Sequence, residues 1–343
     1  MTAASERDLK ITGMRAGIVG AGLMGRWHAH AVKRLGGRIV AILDTDIKAA
    51  TRLSQRHRQA RVFSSIVEML ESCSIEVLHI CSPLSSHSEL ASIALAAGIN
   101  VLVEKPMTPT ADEAERILVE ARRSKLLVCP VHQFLFQNGV RKAIDLLPSI
   151  GEVVRLEMLI NTAGAEGRPE QLQNEIIADI LPHPLSLFEA LLPNGVENVA
   201  WTTMYARPGE LGVGGQSSHV SLAMHLSLLG RPTRCMFTIV GTSSSIELNL
   251  FHGYSVVRAG SLSRLSKISA PLRESSRGFV SATHNLGRRL FEWEPAYPGL
   301  RQLISQFYRA IRNEDQAPLS EHHILATAIE RERLIAQSGL FLE

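Results

Sequence analysis

The sequence predicts an α/β protein: a doubly wound parallel sheet in the N-terminal half, then an α+β domain with a large, mostly antiparallel open sheet. Three observations carry this prediction. Short apolar runs alternate with helix-length amphipathic stretches from Met14 to Val131, the pattern of repeated βα units. The first of these runs opens directly into a glycine-rich turn, Gly20-Ala21-Gly22-Leu23-Met24-Gly25. Beyond residue 195 the strand-like runs follow one another without intervening helices, which implies antiparallel pairing.

A chain of 343 residues has room for two cores. The pattern divides it into a loose leader over 1–13, a first domain over 14–135 and a second over 136–343, with the C-terminal helices able to pack back on the first. Hydrophobic residues at 45% and charged residues at 20% suit a folded globular chain. The net charge of +3 comes with no basic run interleaved with aromatics, so nucleic acid is not an expected partner. Cys73, Cys81, Cys129 and Cys235 are scattered without a CxxC pair, which argues against zinc or a disulfide framework and for a reducing compartment. No apolar run approaches the roughly 18 residues that a membrane span needs. The start of the chain, with Glu6, Arg7 and Asp8, lacks a signal-peptide core. A cytoplasmic protein with no membrane partner is the expectation.

In chain order, strand Met14–Val19 feeds the glycine turn, and a helical pattern follows through Trp27, Ala31, Val32 and Leu35. Strand, turn and helix in this order give a GxGxxG its meaning: a tight turn, close approach of backbone to a pyrophosphate, and close helix–strand packing. The helix N-terminus adds free N–H groups and partial positive charge. This is a Rossmann dinucleotide site in pattern, with Gly20 through Gly25 against the phosphates. Strand Arg38–Leu43 ends in Asp44, nineteen residues past the last glycine by 44 − 25, where a carboxylate meets ribose hydroxyls. That carboxylate repels a 2′-phosphate, so NAD is favoured over NADP. Asp44 also suits a cap for the helix beginning near Asp46.

Strand Arg61–Phe63, helix Ser65–Glu71, strand Val77–Cys81 and helix Ser85–Ala97 continue the alternation. Ser82-Pro83 follows the fourth strand, either as an apolar face for a cofactor ring or as a strand terminator. His87 reads as a residue of the following helix start. Then comes Asn100-Val-Leu-Val-Glu-Lys-Pro-Met-Thr108, a buried strand with Glu104, Lys105 and Pro106 at its carboxyl end. Ligands gather at that end of strands in open α/β sheets. Helix Ala111–Arg123 and strand Leu126–Val131 complete the half, and His132 at the last strand's end suits either substrate contact or core packing.

These residues resemble the Gfo/Idh/MocA oxidoreductases. The likeness rests on Gly20–Gly25 followed by His28, Cys81-Ser82-Pro83 followed by His87, and Ala97-Gly98-Ile99-Asn100 leading into Val101-Leu-Val-Glu-Lys-Pro106. It extends to Asp179-Ile-Leu-Pro-His183, which fits a D-x-x-x-H element on the first helix of the family's second domain. The resemblance implies NAD(P) as cofactor, bound also by Cys81, Ser82, Pro83, His87, Glu104 and Lys105. It further implies Lys105, Asp179 and His183 as the catalytic trio, and a cis peptide before Pro106. Substrate would meet Lys105, His132, Asp179 and His183, and the protein would be a homo-oligomer, dimer or tetramer.

The second half opens with strand Glu152–Ile160, a polar loop, and a helix over Glu175–Leu192 interrupted by Pro182 and Pro184. Strands follow at Val196–Met204, His219–Ser227, Thr233–Val240 and Ser245–Phe251. Residues 255–298, rich in Ser, Arg and Gly, read as irregular, and helices close the chain at Leu300–Arg312 and Glu321–Ser338. Departures from the family pattern cluster here. Asn174-Glu-Ile-Ile-Ala178 replaces a glycine cluster, Leu135-Phe-Gln-Asn138 replaces an Arg-Phe-x-Pro element, Ser186 replaces an aspartate, and Gly241-Thr-Ser-Ser244 alters a GTxG turn. They leave the cofactor half intact and the substrate open.

Moving a hydride off an alcohol requires the hydroxyl proton to leave as well. A lysine at a strand end suits this, because burial and cationic neighbours bring an ammonium towards neutrality. Asp179 and His183, four residues apart, share one face of a helix, where the imidazole can relay a proton and the carboxylate can hold a cation. Glu104 either orders the loop or touches the nicotinamide ribose. His219, His225, His322 and His323 have no metal-ligand company, so no metal is expected. The leading expectation is an NAD(P)-dependent dehydrogenase or reductase of a sugar, cyclitol or related polar metabolite. Two alternatives are transient oxidation by a tightly held NAD during elimination or glycoside cleavage, and a non-catalytic dinucleotide-binding regulator.

Overall fold

The computed structural model describes residues 11–57, 60–163, 165–260 and 264–340. It divides into two compact units: one runs to His132 and takes in Leu300–Ile329, the other holds Gln133–Gly299 and the chain from Glu330.

The first unit alternates β1 (Arg15–Val19), α1 (Leu23–Arg34), β2 (Arg38–Leu43), α2 (Ile47–Ser54), β3 (Arg61–Phe63), α3 (Ile66–Ser72), β4 (Val77–Ile80), α4 (His87–Ala96), β5 (Asn100–Val103), α5 (Ala111–Ser124) and β6 (Val128–Pro130). The six strands are parallel in the order β3-β2-β1-β4-β5-β6. The order reverses between β1 and β4, which makes a switch point and opens a crevice at the carboxyl ends of these strands. All of Val77–Ile80 is buried, as are Val101, Leu102 and Val103 of β5. Burying each of the apolar side chains among them, Val77, Leu78, Ile80, Val101, Leu102 and Val103, contributes about 1.5–3 kcal/mol. Helix starts are marked by side-chain caps: Asp46 accepts from the N–H groups of Lys48 and Ala49, Ser65 from Glu68, and Thr110 from Glu113. The end of the expected leader is no loose segment. Ile11 is 1% exposed and the Gly13 N–H donates to the Gly36 carbonyl at 2.8 Å; Met1–Lys10 lie outside the described residues.

The second unit has α6 (Asn138–Leu146), β7 (Val153–Asn161), α7 (Glu170–Ile180), α8 (Pro182–Leu191) and then six successive strands: β8 (Ala200–Arg207), β9 (Glu210–Ser217), β10 (Val220–Ser227), β11 (Arg234–Gly241), β12 (Ser244–Asn249) and β13 (Tyr254–Ala259). They form one sheet in the order β13-β12-β11-β7-β10-β9-β8. Every pair is antiparallel except β7 with β10, whose register runs Leu222 against Leu156 and Met224 against Met158. Alternate residues of β10 are buried, so one face of this sheet carries the core.

Strand β9 escapes a propensity reading because three of its eight residues are glycine. Neighbouring aromatic rings take the space: a Cβ on Gly212 would lie 2.3 Å from the Tyr205 ring, and one on Gly215 would lie 2.6 Å from the Trp201 indole.

The expected irregular segment over 255–298 is instead β13 followed by α9 (Arg264–Glu292), a helix of 29 residues. Ser and Gly content masks a helical period, because Ile268, Leu272, Phe279, Leu286 and Leu290 recur at steps of four and seven. The chain ends with α10 (Leu300–Asn313), whose Leu303, Ile304, Phe307 and Tyr308 are fully buried in the first unit, and α11 (Glu321–Ser338), within which the division between units falls.

Candidate active site

The crevice of the first unit is a cleft of about 470 Å³ lined by Gly20, Gly22, Asp44, Cys81, Ser82 and Pro83 among others. The three glycines have three different surroundings. Gly20 has φ +93°, and a Cβ there would lie 2.5 Å from the Cys81 carbonyl oxygen. At Gly25 a Cβ would sit 1.8 Å from the Gly20 carbonyl oxygen, so only glycine lets α1 pack this close to β1. At Gly22, the N-cap of α1, an added Cβ would meet nothing within 4 Å. That open space, beside the first-turn N–H groups, is where an anion can reach backbone.

Asp44 is tied to the turn. Its Oδ2 accepts from the Ala21 N–H at 2.6 Å and its Oδ1 from the Asp46 N–H at 2.8 Å. Capping of α2 falls to Asp46 alone. Each Asp44 oxygen keeps a further lone pair, so the carboxylate can still accept from hydroxyls in the cleft. The Cys81 thiol is pushed well up by its enclosure and by the Glu104 carboxylate, which keeps it protonated. These groups fit an adenosine ribose, a pyrophosphate and a neutral ring face. His87 stands behind the cleft rather than in its lining. Its Nδ1 lies 2.9 Å from the Pro106 carbonyl oxygen and its Nε2 2.9 Å from that of Ser82, so the imidazole is a strut between two strand ends.

Lys105 follows β5 at its carboxyl end, half-buried, and its peptide with Pro106 is cis. Glu104 is buried behind it: one carboxylate oxygen accepts from the Lys105 N–H at 3.2 Å, the other lies 3.0 Å from His28 Nε2. His28 Nδ1 lies 2.8 Å from His79 Nδ1, and His79 Nε2 lies 2.7 Å from the Tyr308 hydroxyl. Burial, with His28 second, drives the His79 pKa well below the usual range, so His79 is neutral. A neutral His79 carries a single ring N–H, so of the two facing Nδ1 atoms one donates and the other accepts. No local pattern in the sequence marks this chain, since Tyr308 lies 229 residues from His79.

His132, at the end of β6, is 3% exposed, and its Nδ1 has no hydrogen-bond partner among the described residues. Its ring centroid is 5.8 Å from that of His323. Burial first, then His323 and Lys105, push its pKa well down.

In the second unit Asp179 and His183 do not share one continuous helix. Asp179 lies in the last turn of α7 and His183 in the first turn of α8, with Pro182 unable to donate at the junction. Leu181 between them keeps helical dihedrals, so the break costs little direction. The His183 ring stacks on Phe134 at 4.3 Å. Asp179 Oδ1 lies 3.9 Å from Nη2 of the mostly buried Arg331, whose Nε donates to the Ala178 carbonyl at 3.1 Å. Arg331 carries no local signal in the sequence. Ser186, where the family shows an aspartate, is buried with its hydroxyl donating to the His183 carbonyl at 3.2 Å. Of the other histidines, His219 pairs with Glu152 at 3.0 Å and His225 lies 3.1 Å from the Tyr205 hydroxyl. Among the described residues no group of His, Cys, Asp or Glu could hold a metal ion.

Three comparisons with known proteins show what the chain is similar to. Residues 14–132 match the family model described as "Oxidoreductase family, NAD-binding Rossmann fold". The UDP-N-acetylglucosamine 3-dehydrogenase of Acidithiobacillus ferrooxidans is 29% identical over 197 residues, covering 54% of this chain and 56% of that protein. An inositol 2-dehydrogenase of Saccharopolyspora erythraea is 31% identical over 159 residues, 46% of this chain and 43% of that protein. The chain thus spans about half the length of the curated relatives it matches. The solved structure of the WlbA dehydrogenase from Bordetella pertussis with NADH and UDP-GlcNAcA superposes with a TM-score of 0.75 at 16% identity, over 95% of this chain and 96% of that one, which shows a shared fold. Over residues 14–132, then, this chain is similar to the Gfo/Idh/MocA oxidoreductases, whose model describes an NAD-binding Rossmann fold.

Proposed function

We propose that the protein is an NAD-dependent oxidoreductase that interconverts a hydroxyl and a carbonyl on a sugar, cyclitol or related polar metabolite. The observation that carries this reading is the pairing of an open backbone at Gly22 with the fixed carboxylate of Asp44 along one cleft. Bound NAD would supply the hydride acceptor. Gly20 through Gly25 would hold its pyrophosphate, Asp44 its ribose hydroxyls, and Ser82-Pro83 a ring face. The Asp44 carboxylate favours NAD over NADP by like-charge repulsion of a 2′-phosphate.

Lys105 is the residue we assign to the proton. In oxidation its amine takes the hydroxyl proton as the carbon gives up hydride, and in reduction its ammonium returns that proton to the new alkoxide. The engagement of both Glu104 oxygens behind the strand end supports an ordering role for Glu104 rather than contact with the reacting carbon. His183, held face-on by Phe134, and Asp179, beside Arg331, are assigned to substrate binding and to assisting the proton. The Nδ1 of His132, without a hydrogen-bond partner among the described residues, suits a substrate hydroxyl. The relatives named for UDP-N-acetylglucosamine and inositol support the polyhydroxylated substrate class. The test is a panel of nucleotide sugars and inositols with NAD, read by nicotinamide absorbance; saturable NADH binding with no turnover on any would favour the regulatory alternative.

A further inference from the structure

We propose that α9 is a peripheral anchor that lies in the interface of a bilayer containing anionic lipids. This helix packs against its own unit through polar and small residues. Glu274 pairs with Arg258, the buried Asn285 side chain donates to the His252 carbonyl at 2.9 Å, and Arg289 donates to the same carbonyl at 3.2 Å. The apolar residues point the other way. Ile268, Leu272, Phe279, Leu286 and Leu290 are between 58% and 76% exposed. At about 100° per residue their spacing keeps all five within roughly 40° of one another, a stripe along a helix about 43 Å long. Phe291, 87% exposed, and Trp293, 68% exposed, extend the apolar surface at its C-terminal end. An amphipathic helix in a water-soluble protein turns its apolar stripe to the core; this one turns it outwards.

Charge selects the occupant. Residues 264–292 hold six Lys and Arg against two Glu, a net charge of +4, whereas the rest of the chain has 36 − 6 = 30 against 33 − 2 = 31, a net of −1. The chain's whole positive excess therefore sits on this helix. Two such helices brought together in a dimer would repel, while an anionic surface attracts both. Val280, on the exposed flank, also lines a cleft of about 420 Å³ on the other side of the helix, with Lys142 and Arg288 in its wall. A basic helix with Phe, Leu and Trp on its outer face has the composition of an in-plane interfacial helix. No described helix is long and apolar enough to cross a membrane, so the contact is with one leaflet. The expectation of no membrane partner, drawn from the lack of a span, does not bear on this mode of binding.

Flotation of the full chain with phosphatidylcholine vesicles, with and without phosphatidylglycerol, tests the proposal. The protein should float with the anionic vesicles, partitioning at least roughly tenfold better than with neutral ones, and raised salt should release it. The Phe279→Ser/Leu286→Ser variant should stay unbound with its circular dichroism and NADH binding unchanged. Arg273→Glu/Arg277→Glu, which keeps the stripe, should lose the anionic preference. Wild-type protein that ignores anionic vesicles overturns the proposal, as does a serine variant that floats like wild type. A stable dimer that the serine variant converts to monomer, with no vesicle binding, assigns the stripe to a second copy instead.

Discussion

His28 and His79 meet nitrogen to nitrogen, their Nδ1 atoms 2.8 Å apart in the core of the first unit, so one ring must donate and the other accept. This contact links Tyr308 through His79 and His28 to Glu104 and holds the carboxylate against the strand end that bears Lys105. Replacing His28 by Leu leaves both the buried Glu104 oxygen and His79 Nδ1 without that partner, and each buried polar group left unsatisfied costs about 1–3 kcal/mol. Tyr308→Phe removes only the terminal hydroxyl, leaves a single group unmatched and should cost less, about 1–3 kcal/mol in all. Urea unfolding of both variants gives the ranking; equal stabilities would dissolve the chain as a unit.

Gly22 and Gly25 separate cofactor binding from folding. Alanine at Gly25 would place a Cβ 1.8 Å from backbone and should destabilise the unit, whereas alanine at Gly22 meets nothing within 4 Å. Gly22→Ala should therefore keep wild-type thermal stability while NADH affinity, measured by fluorescence titration, drops at least roughly tenfold. Unchanged affinity would mean that phosphate does not approach this backbone.

Asp44→Ala removes an acceptor for the ribose hydroxyls and the charge that repels a 2′-phosphate. Hydrogen bonds to charged groups are each worth about 1.5–3 kcal/mol, so NADH affinity should fall roughly ten- to a hundredfold while NADPH gains relative to it. Calorimetry with both nucleotides reads the two effects separately. A variant that still discriminates like wild type would place the selectivity elsewhere.

Acid should weaken the first unit through its buried imidazoles. His323 is held down to about 4 by burial, with His322 second, and the folded pKa values of His79 and His132 also lie below the ordinary 6.5. The unfolded chain therefore binds more protons between pH 6.5 and about 4, and stability falls as pH drops through that window. For His323 alone the shift of 6.5 − 4 corresponds to about 3 kcal/mol. His323→Gln should flatten the decline; unfolding curves across this range that match wild type in slope would contradict it.

Much of the first unit was legible because local rules agree there. Apolar runs bounded by turns mark β2 and β3 to the residue, and Ser65 and Thr110 cap the helices that follow them. The cleft lining of Gly20, Gly22, Asp44 and Cys81–Pro83 was legible from spacing, since one βα turn and one strand end place these residues together. What the sequence hides depends on distant partners. The glycines of β9 make sense only beneath Tyr205 and Trp201, and the inward histidines only with Tyr308. Arg331 reaches Asp179 from a helix about 150 residues further along, and α9 was obscured because its apolar stripe is interspersed with Ser, Gly and Arg.

Hydride transfer, in the proposed reaction, depends on Lys105 to move the proton. Steady-state NADH formation by wild type and Lys105→Ala on the same sugar or cyclitol, with NADH affinity as control, tests it most directly. Turnover should fall roughly 10²–10⁴-fold with nucleotide binding intact. Wild-type turnover in Lys105→Ala would contradict it.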